Sequence, residues 1–456
     1  MNTYDQFIEL KRHLGGDHGF DPVFNPPFLF PFQRELVAWA TRKGRAAIFA
    51  DCGLGKTAMQ LTWAQNVIEK TNKPVLVLTP LAVAKQTVRE AAKFGIEAHQ
   101  SRDGALAGKL IVTNYQQLQK FNATDFSGCV CDESSILKNF DGKIKAEITD
   151  FMRKMPYRLL CTATAAPNDY IELGTSSEAL GSLGFMDMLN RFFKKAEATT
   201  SRSDEFRSGI YRFRGHAKRD FWRWVCSWAR AVRKPSDIGF SDEGYTLPPL
   251  VTAEHVVSAR TRNPEYLFDM PAHGLAEQRS ERKRTINERC ELAASLVSGT
   301  GKPAVAWCHL DAEGDALENA IEGSVQVHGS HPDEFKEEAF EAFAMGQIRV
   351  LVSKPVIAGF GLNWHHCAHQ TFFPSHSFEQ WYQAVRRCWR FGQKHPVRID
   401  VISSEGEAGV LSNLKRKADQ ASEMFAHLVA LMNDELQVSR SINTNNNITI
   451  PSWLKK

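Results

Sequence analysis

A glycine-rich turn, Ala50-Asp51-Cys52-Gly53-Leu54-Gly55-Lys56-Thr57, lies between the apolar run Ala46 to Ala50 and the helical pattern Ala58 to Glu69. This strand–loop–helix order admits few folds. Gly53 and Gly55 free the backbone to aim N–H groups at phosphate oxygens, Lys56 can reach the β- and γ-phosphates of a nucleotide, and Thr57 can ligate Mg²⁺. The first glycine of the usual GxxxxGK pattern is replaced by Ala50. More than three hundred residues later, the run Gln383-Ala384-Val385-Arg386-Arg387-Cys388-Trp389-Arg390-Phe391-Gly392-Gln393 carries Arg387 and Arg390 three apart, so that on a helix they share one face. A phosphate cradle and cationic fingers complete ATP hydrolysis only together, and their separation predicts two lobes that meet around one nucleotide.

The intervening pattern fits two such lobes. Short apolar runs at Ala46 to Ala50, Val75 to Thr79, Leu110 to Thr113, Cys129 to Asp132 and Leu159 to Thr162 alternate with longer helical stretches. Buried parallel strands with crossover helices give this rhythm. It returns at Ala304 to His309, Val325 to His328, Val350 to Ser353, Thr371 to Phe373 and Val397 to Ile402. The expected organisation is a first α/β lobe over 1–172, a helical, basic and aromatic insertion with a linker at Leu247-Pro248-Pro249-Leu250 over 173–284, a second α/β lobe over 285–432, and a polar tail over 433–456. A chain of 456 residues has the length for two domains.

Charge and cysteine usage narrow the class. With 56 Lys and Arg against 52 Asp and Glu, any nucleic-acid footprint must be local. Nine cysteines without CxxC pairs suit reduced thiols in a cytosol. Met1 to Gly15 lacks an uninterrupted apolar core and no later stretch reaches transmembrane length, so no membrane role is expected.

A carboxylate pair completes the nucleotide chemistry. Asp132-Glu133 closes the apolar run Cys129 to Cys131, where a strand tip can offer Asp132 to Mg²⁺ and Glu133 to the attacking water. Between Arg191 and Lys234 stand thirteen Lys or Arg against four Asp or Glu, interleaved with Phe192, Phe193, Phe206, Tyr211, Phe213, Phe221, Trp222, Trp224 and Trp228. The charges, Arg212 and Arg214 among them, suit phosphate neutralisation. The rings have two readings, base platforms or core, and the helical spacing of Phe221, Trp224, Val225 and Trp228 favours core. His365-His366-Cys367 with His369 lies just before an apolar strand, unlike the separated ligand pairs of structural zinc sites.

These motifs together resemble the superfamily-two helicases and translocases, and within them the Swi/Snf class of DNA-dependent ATPases, in the compact form found in bacteriophage and prophage genomes. Phe32-Gln33 is similar to the adenine-recognising glutamine motif. Leu78-Thr79-Pro80 and Thr113-Asn114-Tyr115 resemble strand-end motifs that grip a nucleic-acid backbone. Asp132-Glu133 followed by Ile136-Leu137-Lys138-Asn139 resembles the DE box with its Lys-Asn pair. Cys161-Thr162-Ala163-Thr164 with Ala166-Pro167-Asn168-Asp169 resembles the motif coupling ATP site to DNA. Ala306-Trp307-Cys308-His309, Gly359-Phe360-Gly361-Leu362-Asn363 and Gln383 through Gln393 follow the family's second lobe. The resemblance implies two RecA-like parallel-sheet lobes, ATP and Mg²⁺ as cofactors, and roles for Gln33 and Gly361 at the nucleotide, Gln383 in catalysis, and Thr79, Pro80, Thr113, Asn114 and His309 at nucleic acid. Ser134-Ser135 stands where relatives often have Ala-His, removing a His-mediated link to the coupling motif, and Ala163 stands where the class usually has Gly.

The expected activity is ATP-driven movement on duplex or branched DNA by a monomer in a bacterial or phage-infected cytosol. Two alternatives are a strand-separating DNA or RNA helicase and a nucleotide-switched DNA clamp with little turnover.

Overall fold

The computed structural model describes residues 16–138, 142–166, 170–195, 211–259, 275–359 and 361–444. Met1 to Gly15, Asn139, Pro167-Asn168-Asp169, Phe206, Phe360 and the last residues of the expected tail lie outside them.

The first lobe contains β1 (Arg45–Ala50), β2 (Val75–Thr79), β3 (His99–Gln100), β4 (Leu110–Asn114), β5 (Gly128–Asp132) and β6 (Tyr157–Thr162). A short antiparallel hairpin follows, β7 (Phe193–Lys195) with β8 (Tyr211–Phe213), and then β9 (Ala229–Val232). The second lobe contains β10 (Leu250–Val257), β11 (Ala304–Trp307), β12 (Ser324–Val327), β13 (Val350–Ser353), β14 (His369–Phe372) and β15 (Val397–Ser404). The sheet orders are β3-β4-β2-β5-β6-β1-β9 and β10-β15-β14-β11-β13-β12, every pairing within them parallel. Two parallel-sheet α/β lobes are therefore present, as expected. β2, β4, β5 and β13 are buried along their whole length, so they read as continuous apolar runs and not as alternating ones.

The region between the lobes is helical over Glu172–Leu180, Phe185–Phe192 and Ala217–Trp228, but it also completes both sheets. β9 pairs with β1 in the first sheet, and β10 pairs with β15 in the second. The first lobe thus runs through Val232, beyond the expected boundary at 172, and the second begins at Leu250 instead of 285. The polypeptide between the sheets takes in Pro248 and Pro249, within the expected linker. Phe221, Trp222, Trp224 and Trp228 are buried in the first lobe's core, Trp228 edge-on to Phe49 of β1 at 6.2 Å. Their rings serve packing.

The C-terminal boundary also moves. Backbone stays helical from Ala408 through Thr444, past the break expected at Met432. This helix leaves β15 of the second lobe and seats Met424, Leu428 and Val429 in the hydrophobic core of the first. Lys417 Nζ, donating to His376 O at 2.7 Å, holds its nearer part to the second lobe. It is a strap across both lobes, and its apolar spacing belongs to the lobe it reaches. Among the described residues no helix is long and apolar enough to cross a membrane.

Candidate active site

The glycine-rich turn joins the C-terminal end of β1 to the helix Lys56–Thr71, the position at which open α/β sheets bind ligands. Gly53 (φ 90) and Gly55 (φ 77) both hold left-handed backbone, which a side chain would strain. A Cβ on Gly53 would sit 2.8 Å from Phe391 N of the second lobe. Lys56 Nζ donates to Ala50 O at 3.0 Å, folding the lysine back over its own turn. Thr57 begins the first helical turn beside it. Gln33 is buried under the loop. Its Nε2 donates to Leu54 O at 2.9 Å and its Oε1 accepts Phe30 N–H at 3.0 Å, so in this conformation it braces the loop with both ends of its amide.

Asp132 ends β5, with β6 lying between it and β1. Gln60, from the helix behind the phosphate loop, donates to Asp132 Oδ1 at 2.7 Å. Burial, and next the charge of Glu133, push the Asp132 carboxyl up to about 6. Glu133 has φ 50, a left-handed conformation that costs a β-extended chain end about 1–3 kcal/mol and is found where function demands it. Thr162 of β6 donates to Glu133 Oε2 at 3.2 Å. Thr162, in the segment that resembles the coupling motif, thus meets the carboxylate pair directly through its hydroxyl, where no histidine is present. Two adjacent buried carboxylates, one already resisting ionisation, are a donor set that fits a divalent cation, with Thr57 as the hydroxyl ligand.

The arginine run occupies the helix Phe378–Cys388 and the turn after it. Arg390 is off the helix, contrary to the expected shared helical face, because Trp389 leaves helical backbone (φ −88, ψ 83). The two side chains nevertheless converge. Arg387 Nη1 donates to Leu362 O at 3.1 Å and Arg390 Nη1 to the same oxygen at 2.7 Å, while Arg387 Nη2 lies 4.0 Å from Cys52 Sγ in the phosphate loop. Burial, and next the positive charge of Arg387, bring Arg390 down to about 10. Among the described residues neither makes an ion pair with a carboxylate. Gln383 is buried one turn earlier, its Nε2 3.4 Å from Glu379 Oε1 and its Oε1 without a partner among the described residues. Two like charges gathered on one carbonyl oxygen, one of them 4.0 Å from Cys52 in the glycine-rich turn, are an arrangement that a polyanion would relieve.

Gly361 (φ 67) lies at the lobe boundary, where an added Cβ would come within 2.9 Å of Val83 Cγ1. Its role here is to let the lobes approach. Gly361→Ala should therefore force the lobes apart at this contact and lower the melting temperature; an unchanged melting temperature would show that the contact does not govern their approach.

The expected nucleic-acid contacts are mostly turned inward. Thr79 Oγ1 is bonded to Pro80 O (3.1 Å) and Thr113 O (3.4 Å), and Thr113 Oγ1 to Ser101 O (2.7 Å). Asn114 is buried with Oδ1 unpaired among the described residues. Pro80 lines an interlobe cavity of about 430 Å³ with Tyr115, Glu133, Lys138 and Lys336. His309 is bonded through Nε2 to Phe373 O at 2.9 Å, and burial, then the charge of Arg282, bring it down to about 4, so it is neutral and engaged within its own lobe. Arg214 donates to Phe193 O (3.1 Å) and Asn190 O (2.9 Å), which makes it a brace of the β7–β8 hairpin. Arg212 sits half-buried in β8. His369 is bonded to Asp400 at 2.8 Å.

A line of ion pairs closes the lobes over these strand ends. Lys85 meets Glu337 at 3.3 Å, Arg89 meets Glu341 at 2.6 Å, Arg102 meets Glu337 at 2.7 Å, and Lys138 meets Glu379. Asp51 of the phosphate loop is held by Arg386 and Tyr382 of the arginine helix. Sequence reasoning gave no role to Asp51, Gln60, Tyr382 and Arg386, and placed Thr162 only within the segment that resembles the coupling motif. The spacing of Tyr382 and Arg386, four apart on a helix, was the available signal.

No family model matches the chain. It is 29% identical over 198 aligned positions to the p41 protein of Acyrthosiphon pisum secondary endosymbiont phage 1, a stretch that takes in 38% of this chain and 42% of that protein. The chain thus spans less than half the length of that relative. Among solved structures it is similar to the Sulfolobus solfataricus SWI2/SNF2 ATPase core in complex with dsDNA, with 16% identity and a TM-score of 0.41 over 92% of this chain and 97% of that one.

Proposed function

We propose that the chain is a DNA-stimulated ATPase of the Swi/Snf class that moves along duplex or branched DNA, with ATP and Mg²⁺ bound between its lobes. The observation that carries this reading is the convergence of Arg387 and Arg390 on Leu362 O, without carboxylate partners among the described residues, with Arg387 Nη2 4.0 Å from Cys52 Sγ of the phosphate loop. Lys56 and the loop N–H groups bind the triphosphate. Thr57 and Asp132 would hold Mg²⁺, which when bound offsets phosphate charge. Glu133 polarises the attacking water as the bond to the γ-phosphoryl group breaks, and the two guanidiniums offset charge developing on that group. Thr162, bonded to Glu133, carries the state of the site to the coupling motif. Opening and closing of lobes that hold one DNA backbone supplies the step.

Phosphate release should rise when duplex, forked or four-way DNA is added, and less with single strands or RNA. Turnover unchanged by any DNA would favour the nucleotide-switched clamp, and stimulation by RNA alone an RNA helicase. Unwinding of forked duplex without triplex displacement would favour strand separation. The phage setting and a place in replication or recombination belong to the same proposal.

A further inference from the structure

Arg386 differs from Arg387 and Arg390 in having its guanidinium paired with a carboxylate. Its Nε lies 3.2 Å from Asp51 Oδ1, its Nη2 donates to Asp51 Oδ2, and its Nη1 donates to Trp389 O at 3.2 Å. The guanidinium stands 4.7 Å from the Trp389 ring and 5.5 Å from the Tyr382 ring. Tyr382 donates its hydroxyl to the same carboxylate. Asp51 in turn accepts the N–H of Cys52 at 2.6 Å, so one carboxylate fixes its own loop and receives the arginine helix of the other lobe. The side chains are 4% and 17% exposed, for Arg386 and Asp51, so solvent screens the pair little. A cavity of about 150 Å³ beside it is lined by Ala163 and Thr164 of the coupling motif and by Met424 and Phe425 of the C-terminal strap.

We infer that Asp51 and Arg386, with Tyr382, form a keying pair that sets the phosphate loop and the arginine helix in register, making Arg386 a positioning residue for hydrolysis and not a third finger. The inference rests on the functional reading above. Arg387 follows Arg386 directly, and Arg387 Nη2 is the atom that reaches Cys52, the residue whose N–H Asp51 accepts. Holding residues 51 and 386 together therefore fixes residues 52 and 387 relative to each other. Burial by itself lowers the guanidinium's proton affinity, and the Asp51 carboxylate outweighs it and raises Arg386 well above its ordinary value. Arg386 thus stays charged throughout the cycle. Asp51→Asn keeps an oxygen that can accept the Cys52 N–H, and Arg386 lies outside the loop, so the loop's own bonds and Lys56 stay in place when the pair is lost.

A double-mutant cycle tests this on the full chain with duplex DNA. Asp51→Asn and Arg386→Gln should each lower kcat on the order of 10²-fold, the cost of a displacement of about 1 Å at the fingers, with the KM for ATP little changed. The double variant should be no slower than the slower single, because one interaction is lost in all three. Tyr382→Phe, which keeps the ring, should lower kcat in the same sense by less, and it stands in if Arg386→Gln melts far below wild type. Losses that multiply in the double variant would overturn the keying pair, as would a rise in turnover in any single variant, which would mark the contact as a restraint. Absence of wild-type turnover would overturn the functional reading and the pair together, whereas normal wild-type turnover with multiplying losses would overturn the pair alone.

Discussion

Lys56→Ala should bring DNA-stimulated ATP hydrolysis to background and weaken nucleotide binding as well. The side chain reaches back over the glycine-rich turn to Ala50 O at 3.0 Å, and no other lysine lies in that turn. Its ammonium is also among the groups that lower the proton affinity of Asp132, against burial and the charge of Glu133. Removing it therefore strips the triphosphate of its cationic partner and makes the metal-binding carboxylate harder to ionise. Phosphate release together with fluorescent-nucleotide titration checks both effects. Equal rates in variant and wild type would refute the assignment of the site.

Glu133→Gln should separate binding from chemistry. Glutamine keeps an oxygen that can accept the Thr162 hydroxyl, now 3.2 Å from Glu133 Oε2, so the link to the coupling motif survives. It cannot take a proton, and kcat should fall by about 10²–10⁴-fold while ATP still binds. A second consequence follows from the same pair. Burial and the Glu133 charge raise the Asp132 carboxyl from its ordinary value to about 6 in the folded chain, so the stability this group contributes is present in acid and lost as pH rises through about 6. Neutralising Glu133 lowers that folded value and reduces the loss. The variant should melt higher than wild type at neutral pH in the absence of metal and nucleotide, and by less at pH 4; a lower melting temperature at neutral pH would mean that the two carboxylates do not repel.

The strands were legible because most of the ten expected runs are buried, largely apolar segments between turn signals, and all ten overlap strands observed at β1, β2, β4, β5, β6, β11, β12, β13, β14 and β15. β9 was not, since Ala229–Val232 follows the helix ending at Trp228 without a glycine or proline to announce the change; Ala229 simply turns extended (φ −125, ψ 151). β10 lies at a sheet edge, with exposed and half-buried residues along its length, and behind two prolines it reads as linker. At the site, residue types that can bind phosphate were identifiable from spacing. What spacing did not carry was whether a polar group was already occupied. Gln33, His309 and Arg214 have the expected chemistry but spend it on Leu54, Phe373 and Phe193 carbonyls, which are distant or unremarkable in sequence. Nothing in a linear run tells Arg386, which faces the Asp51 carboxylate, from Arg387, which faces Cys52.

The composite pocket is tested most directly by Arg387→Ala combined with Arg390→Ala, assayed with saturating ATP and duplex DNA beside a nucleotide titration. The predicted result is a fall in kcat of about 10³-fold or more, the usual worth of arginine fingers, with nucleotide affinity close to wild type, because the cradle is in the other lobe. Turnover within a few-fold of wild type would mean that the second lobe contributes no cation to the reaction, and would contradict the account.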